Sequence, residues 1–241
     1  MLSPRAENER SIAGASVGTL LQTARTAASG LLAGGVVHEF ANLLTVVDGM
    51  RQMAALAPDS PPKLTLLDQP ADRCGAIVEA FRHFFGERGD RVEASTARLE
   101  LTSLGELLRA FLRGHAARVD VQEAGAELPV DGRLGATLRP VILCVVLGRL
   151  ERARAAEATP SRVGLAAERD ADGGVAFVAH LGGGDALASL GPVEGAPGDD
   201  ASLGERVEAV GRELAAALGG EVEDVPSTRP PGRRLRVRVP A

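Results

Sequence analysis

Apolar and polar positions divide the chain into two parts with different periods. From about residue 11 to residue 57 apolar side chains recur at helical spacing with no internal proline, which predicts one long helix. The run "APDSPP" at 57–62 ends it, because proline cannot continue the hydrogen-bond ladder. A second helix is predicted over about 63–88. It carries Leu64, Leu67, Ile77, Val78, Phe81 and Phe84 close to heptad spacing, and "GERGD" at 86–90 closes it. Two long helices joined by a short loop make an antiparallel hairpin. A lone hairpin buries only one side of each helix, so two copies are expected to pair as a four-helix bundle in a homodimer. The alternative is a monomer whose hairpin packs on the rest of its own chain.

From about residue 95 the pattern shortens. "TSLGELLRAFLRGHA" predicts an amphipathic helix with Leu104, Leu107, Leu108, Phe111 and Leu112 on its apolar side, and "ARVDVQEA" a strand. Asp131 begins a turn into the helix "LRPVILCVVLGRLERARAA". Two strands follow, "RVGLAAER" and "GVAFVAHL", joined by the turn signature "DADGG". A loop rich in Gly, Pro and Asp spans about 182–200. Then come the helix "GERVEAVGRELAAALGG", with Gly219 and Gly220 as C-cap glycines, and a last strand in "RRLRVRVP". The fold class expected is α+β: the hairpin over 1–92, then an α/β unit over 93–241.

Composition narrows the function. Only 2% of residues are aromatic, with no Trp or Tyr, so the core rests on Leu, Val and Ala and a stacking platform for single-stranded nucleic acid is excluded. The formal net charge of −5 argues against a general nucleic-acid binder, and the arginines of "RRLRVRVP" fit the solvated face of a strand. Cys74 and Cys144 lie far apart in apolar helical contexts, without metal-ligand spacing, and read as buried thiols. His83 and His115 stand alone in the sequence and read as surface or helix-end residues. No run of about 18 uninterrupted apolar residues is present, so no membrane span is expected, and the charged start "MLSPRAENER" lacks a signal-peptide core. A cytoplasmic protein is expected.

The stretch "AGGVVHEFANLLTVV" at 33–47 carries the chemistry. At roughly 100° per residue, Val36, Phe40, Leu43 and Val47 share one side, extended by Val37 and Leu44. His38, Asn42 and Thr45 fall opposite, with Gly34 one turn earlier on their stripe. His38 is therefore displayed beside small and polar neighbours that let another molecule approach. A neutral imidazole is a usable nucleophile near pH 7, and an adjacent carboxylate can take its other proton.

This stretch resembles the phosphoacceptor box of sensor histidine kinases. Ala33, Gly34, Gly35, His38, Glu39, Phe40, Asn42, Leu43, Leu44, Thr45 and Val46 match the family pattern, while Ala41 replaces the first of two asparagines. The resemblance implies that His38 is the phosphorylated residue and Glu39 its general base. It implies that Asn42 orients water when the same surface dephosphorylates a partner. The hairpin would be the dimerisation and phosphotransfer domain. The order of elements after residue 93, above all the run "SLGERVEAVGRELAAALGGEVEDVPSTRPPGRRLRVRVP", is similar to the family's ATP-binding α/β sandwich.

Measured against that family, the nucleotide site looks degenerate. Gly148 stands where an asparagine holds magnesium, and glycine has no side-chain oxygen for a hard cation. "HLGGG" at 180–184 replaces DxGxG, so His180 takes the place of the adenine-binding aspartate, beside Gly182 and Gly184. In the phosphate loop, "DASLGE", Leu203 and Gly204 remain but both leading glycines are gone, and Asp199 and Asp200 add negative charge. No asparagine occurs after Asn42. No ATP, metal or other cofactor is therefore expected. The expected function is two-component phosphotransfer between His38 and the aspartates of response-regulator receiver domains. Two alternatives remain: a non-catalytic dimeric pseudokinase that sequesters a regulator, and a divergent ATP-dependent kinase.

Overall fold

The computed structural model describes residues 4–56, 65–85, 94–113, 115, 117–193, 197–228 and 231–240. The two expected helix-closing segments, 57–62 and 86–90, lie outside the described residues. Helix α1 (Pro4–Leu56) and helix α2 (Thr65–Phe85) form the expected hairpin. Then follow β1 (Ser95–Thr96), α3 (Ala97–Phe111), β2 (Arg118–Val121), β3 (Pro129–Val130) and α4 (Gly132–Ala155). The chain continues through β4 (Arg162–Arg169), β5 (Val175–Gly182), the single turn α5 (Asp185–Ala188), α6 (Leu203–Ala217), β6 (Glu221–Thr228) and β7 (Pro231–Arg238). The fold is α+β. Five strands make one sheet in the order β2-β4-β5-β7-β6, with β2 parallel to β4 and the remaining pairs antiparallel.

Strand β6 has no counterpart among the elements predicted from sequence. "EVEDVPST" lacks clean alternation and contains Pro226, which reads as a break. The strand tolerates it because β6 lies at the sheet edge, where one row of backbone donors needs no strand partner. Helix α6 has sharper signals. Ser202 and Glu205 form a reciprocal capping box at its start, and Gly219, at φ 72°, takes the left-handed position after its end.

Helices α3, α4 and α6 cover one face of the sheet, and α1 packs across those helices. Helix α4 is thus enclosed from both sides. Every residue from Pro140 to Leu150 is buried, which explains why "PVILCVVLGRL" is apolar around its whole circumference apart from Arg149. One continuous core joins Ala24, Ala28 and Leu32 of α1 to Leu147 of α4 and Phe177 of β5, so it crosses the expected boundary near residue 92. Cys144 ties the layers together, its Sγ donating to the Ala24 carbonyl at 3.2 Å. Burial pushes that thiol up to about 12, so it is an inert packing group. Cys74 is also buried.

The other face of the sheet carries the expected alternation. Arg234, Arg236 and Arg238 point outward and are spent on acids of β4 and the β4–β5 turn: Arg234 on Glu168 at 2.8 Å, Arg236 on Asp170 at 2.7 Å, and Arg238 on Asp170 and Asp172. Paired in this way they do not form a bare cationic patch.

His83 lies in the last turn of α2, as the helix-end reading expected, but it neither faces water nor stands alone. It is mostly buried, with Nε2 2.9 Å from Glu100 Oε2. Arg139 donates to both Glu100 oxygens, at 2.8 and 2.7 Å, and Ser95 donates at 2.5 Å. This knot joins α2, α3 and α4, with Glu100 lying 17 residues from His83 and 39 from Arg139, beyond the reach of any local pattern. Burial pushes the Glu100 carboxyl up, but the hydrogen bonds from Arg139 and His83 outweigh it and bring it to about 2. A carboxylate held below its unfolded value stabilises the fold fully above about pH 4.5, and the gain is lost as pH falls towards 2. The shift corresponds to on the order of 3 kcal/mol. Urea denaturation of the native protein and Glu100→Gln should therefore differ by a few kcal/mol at pH 6, with the gap closing between pH 4.5 and 2. A gap that does not change with pH would contradict this.

Candidate functional site

Helix α1 packs on its own chain through small residues, not through its bulky flank. Ala24, Ala28, Leu32, Glu39 and Met50 are buried along one stripe. A Cβ at Gly35 would run into the Ala110 carbonyl, so this glycine is what lets α3 lie against α1. The flank expected to be buried is largely exposed within the chain: Val37 is 67% exposed, Phe40 38%, Leu44 65% and Val47 43%. Small residues permit a closer helix–helix approach, so the stripe centred on Glu39 wins the intrachain contact and the bulky flank is left over.

His38 is exposed, on a third side of α1 from both of these stripes. Nothing lies within 4 Å of where a Cβ would stand on Gly34, one turn earlier, so the approach to the imidazole is open. Asn42 is half-buried, and Thr45 spends its hydroxyl on the Ala41 carbonyl at 2.8 Å. Glu39 departs from the expected arrangement. It is 6% exposed, pairs with Arg113 just beyond α3, and has Arg73 of α2 at 4.0 Å. Its neighbour in sequence is His38, but its partners in space are two guanidiniums supplied by α2 and by the segment after α3.

The residues expected to mark a nucleotide pocket do not line one cavity. At Gly148 an added Cβ would lie 2.5 Å from the Glu208 nitrogen and 2.7 Å from the Gly204 oxygen. At Gly204 it would lie 2.8 Å from the Arg152 nitrogen. The two glycines therefore mark a backbone-to-backbone crossing of α4 and α6. His180 sits on the other side of the sheet. Phe177, Ala179 and Leu181 of β5 join the core, while His180 alternates outward beside Arg234 and Glu168. Burial, then the charge of Arg234, lowers its pKa against a small opposing pull from Glu168. Gly182 ends β5, and the amides of Gly183 and Gly184 donate to the Pro231 carbonyl at 3.2 and 3.4 Å.

Sequence reasoning missed the charged cluster beside that crossing. Arg149 is fully buried and donates to Glu208 at 2.6 Å and Asp224 at 2.5 Å, both of them buried too. Arg152 and Arg212 also reach Glu208, and Arg233 reaches Asp224. Burial pushes the Glu208 carboxyl up, but Arg149, Arg152 and Arg212 together hold it below the usual range. The same arginines hold the loop after α5: Arg233 donates to the Ala188 carbonyl, Arg149 to Leu190 and Arg152 to Gly191. The available signal was the lone arginine that interrupts the apolar run before residue 150.

One described helical segment, Val17–Leu56 within α1, is long and apolar enough by length and composition to cross a membrane. This differs from the sequence expectation because Ala, Gly, Ser and Thr dilute its few charges without forming an uninterrupted apolar run. Here one stripe of that segment is packed against α3, α4 and α6. Among the described residues no group of three or more His, Cys, Asp or Glu could hold a metal ion.

No family model matches the sequence, and no curated protein matches it. Solved structures with a related chain path include a bacterial phosphotransferase, at 13% identity and TM-score 0.49, over 88% of this chain and 95% of that one. A blue-light activated histidine kinase of Erythrobacter litoralis, EL346, aligns at 16% identity and TM-score 0.46, over 84% of this chain and 62% of that one. The ATP-binding domain of PrrB from Mycobacterium tuberculosis aligns at 18% identity and TM-score 0.42, over 61% and 96%. At these identities and scores the likeness carries no activity, ligand or partner to this chain.

Proposed function

We propose that this is a cytoplasmic two-component phosphotransfer protein, with a phosphoacceptor hairpin over 1–92 and a degenerate ATPase-like unit over 93–241. His38 takes a phosphoryl group from the aspartyl phosphate of a response-regulator receiver domain and returns it to another, without ATP. In the forward step the imidazole nitrogen forms the N–P bond as the acyl-phosphate O–P bond breaks. The receiver carboxylate leaves, and the imidazole proton passes to solvent, Glu39 being engaged by Arg113 and Arg73. Asn42 serves a separate, hydrolytic use of the same surface, orienting a water that attacks the receiver's aspartyl phosphate and releases inorganic phosphate. The observation that carries the reading is the exposed imidazole with open space at Gly34, inside the histidine-box pattern. The direct α4–α6 contact at Gly148 and Gly204 supports a reading without ATP, since it occupies the place of the missing magnesium ligand.

Incubation with receiver domains carrying labelled phosphate should give an acid-labile, base-stable label on the native chain and none on His38→Gln. Labelled ATP should leave both unlabelled. Label from ATP would favour the divergent kinase instead. A second reading, a non-catalytic module that sequesters a regulator, is favoured by the pairing of Glu39 with Arg113 and Arg73. It requires receiver binding with no label on His38.

The exposed flank of Val37, Phe40, Leu44 and Val47 supports the homodimer, in which a second hairpin would cover it. The native chain is expected to sediment at twice 24.9 kDa. Val37→Glu with Leu44→Glu should give a folded monomer, because neither side chain is packed within the chain. A native monomer at micromolar concentration would rule the pairing out.

A further inference from the structure

We propose that the crevice between the hairpin and α3 binds a small oxyanion, a phosphate or carboxylate group. Arg73 of α2, Arg109 of α3 and Arg113 just beyond it line a cavity of about 230 Å³ together with Glu39 and Glu106. Three guanidiniums thus face two carboxylates, leaving one positive charge uncompensated. The donors are also in excess. Arg109 gives Nη1 to Glu106 at 2.5 Å and Nη2 to the Val119 carbonyl at 3.1 Å. Arg113 pairs with Glu39 through Nη1. Arg73 comes no nearer than 4.0 Å to Glu39, beyond hydrogen-bonding distance, and makes no hydrogen bond among the described residues. Each guanidinium offers five N–H groups in a planar fork, so most of those lining the cavity are unspent.

The remaining walls are Ile77 and Ala110, both almost fully buried. An apolar backing of this kind strengthens the attraction of the arginines for an incoming anion. The fork geometry matches the paired oxygens of a carboxylate or phosphate. The volume takes a tetrahedral anion with a few waters, at about 30 Å³ of liquid volume per water. A bound anion competes with Glu39 for Arg73 and Arg113. On the phosphotransfer reading above, on which this one consequence rests, it would release the carboxylate beside His38.

Calorimetric titration of the full chain, with inorganic phosphate and separately with succinate in low-salt buffer, tests the site. At least one anion should bind saturably with a Kd of about 1 mM or tighter. The anion that binds distinguishes a phosphate source from a carboxylate source. Arg73→Gln should weaken it about tenfold or more without changing Tm, and Glu39→Gln should tighten it by removing the competing carboxylate. His38→Ala should leave the affinity unchanged, so the site stands or falls apart from the phosphoacceptor. No saturable heat with either anion, or unchanged affinity in Arg73→Gln, would overturn the proposal.

Discussion

Arg149→Met is expected to destabilise the protein by about 3–5 kcal/mol, a large share of the roughly 5–15 kcal/mol that holds a domain folded. The substitution keeps an apolar stem of similar length but removes the guanidinium that is fully buried against Glu208 and Asp224. Both acids stay buried, and the charge they lose is the most enclosed of their partners. Buried Arg233 still reaches Asp224, and Arg152 and Arg212 still reach the pair from the partly exposed rim of the cluster. The carbonyl of Leu190 also loses its donor, so hydrogen exchange in the loop after α5 should quicken along with the drop in stability. Urea unfolding measures the first effect. Replacing Arg149, Glu208 and Asp224 together by apolar residues should cost less than the single change, because no buried charge is then left unpaired. A single-variant loss under about 1 kcal/mol would mean that the rim arginines suffice and that Arg149 is dispensable.

Gly148→Asn is the second large effect, and it runs against the intuition of restoring a magnesium ligand. The new Cβ would stand 2.5 Å from the Glu208 nitrogen and 2.8 Å from the Glu208 Cα. These are backbone atoms of α6, which cannot swing aside as a flexible side chain would. The helices must separate, and the cluster around Glu208 must loosen with them. A cost of about 3 kcal/mol or more is expected, at the upper end for overpacking, with no gain of magnesium-dependent ATP binding. Thermal unfolding and titration with a fluorescent ATP analogue read the two parts. Tight nucleotide binding in a stably folded variant would mean that α4 and α6 part readily and that a pocket lies between them.

Much of the architecture could be read locally. The hairpin, α3, the β4–β5 pair, α6 and β7 each announce themselves through a period of 3.6 or 2 and a terminator of known chemistry, such as the box at Ser202 and Glu205 or the positive φ of Gly219. Strand β6 escaped because Pro226 and its five polar residues mask its weak alternation, a pattern only an edge position allows. The burial and partners of His83 at the end of α2 were not legible, because Glu100 and Arg139 are supplied by other helices. The histidine box singled out His38 correctly as an exposed residue. It said nothing of Arg113 and Arg73, which take up Glu39 from 74 and 34 residues away in sequence.

The sequence alone determined the existence and order of the main helices and of β2, β4, β5 and β7, which face of β7 meets water, and that His38 stands clear of apolar neighbours, because these depend on side-chain spacing within a few turns. The tertiary structure decided which flank of α1 its own chain covers, what partners Glu39 has, and that α4 carries a buried arginine at its centre. Those outcomes depend on how closely two helices can approach. That approach is set where a glycine of one meets the backbone of another, at Gly35 with Ala110 and at Gly148 with Gly204, between segments that share no local pattern.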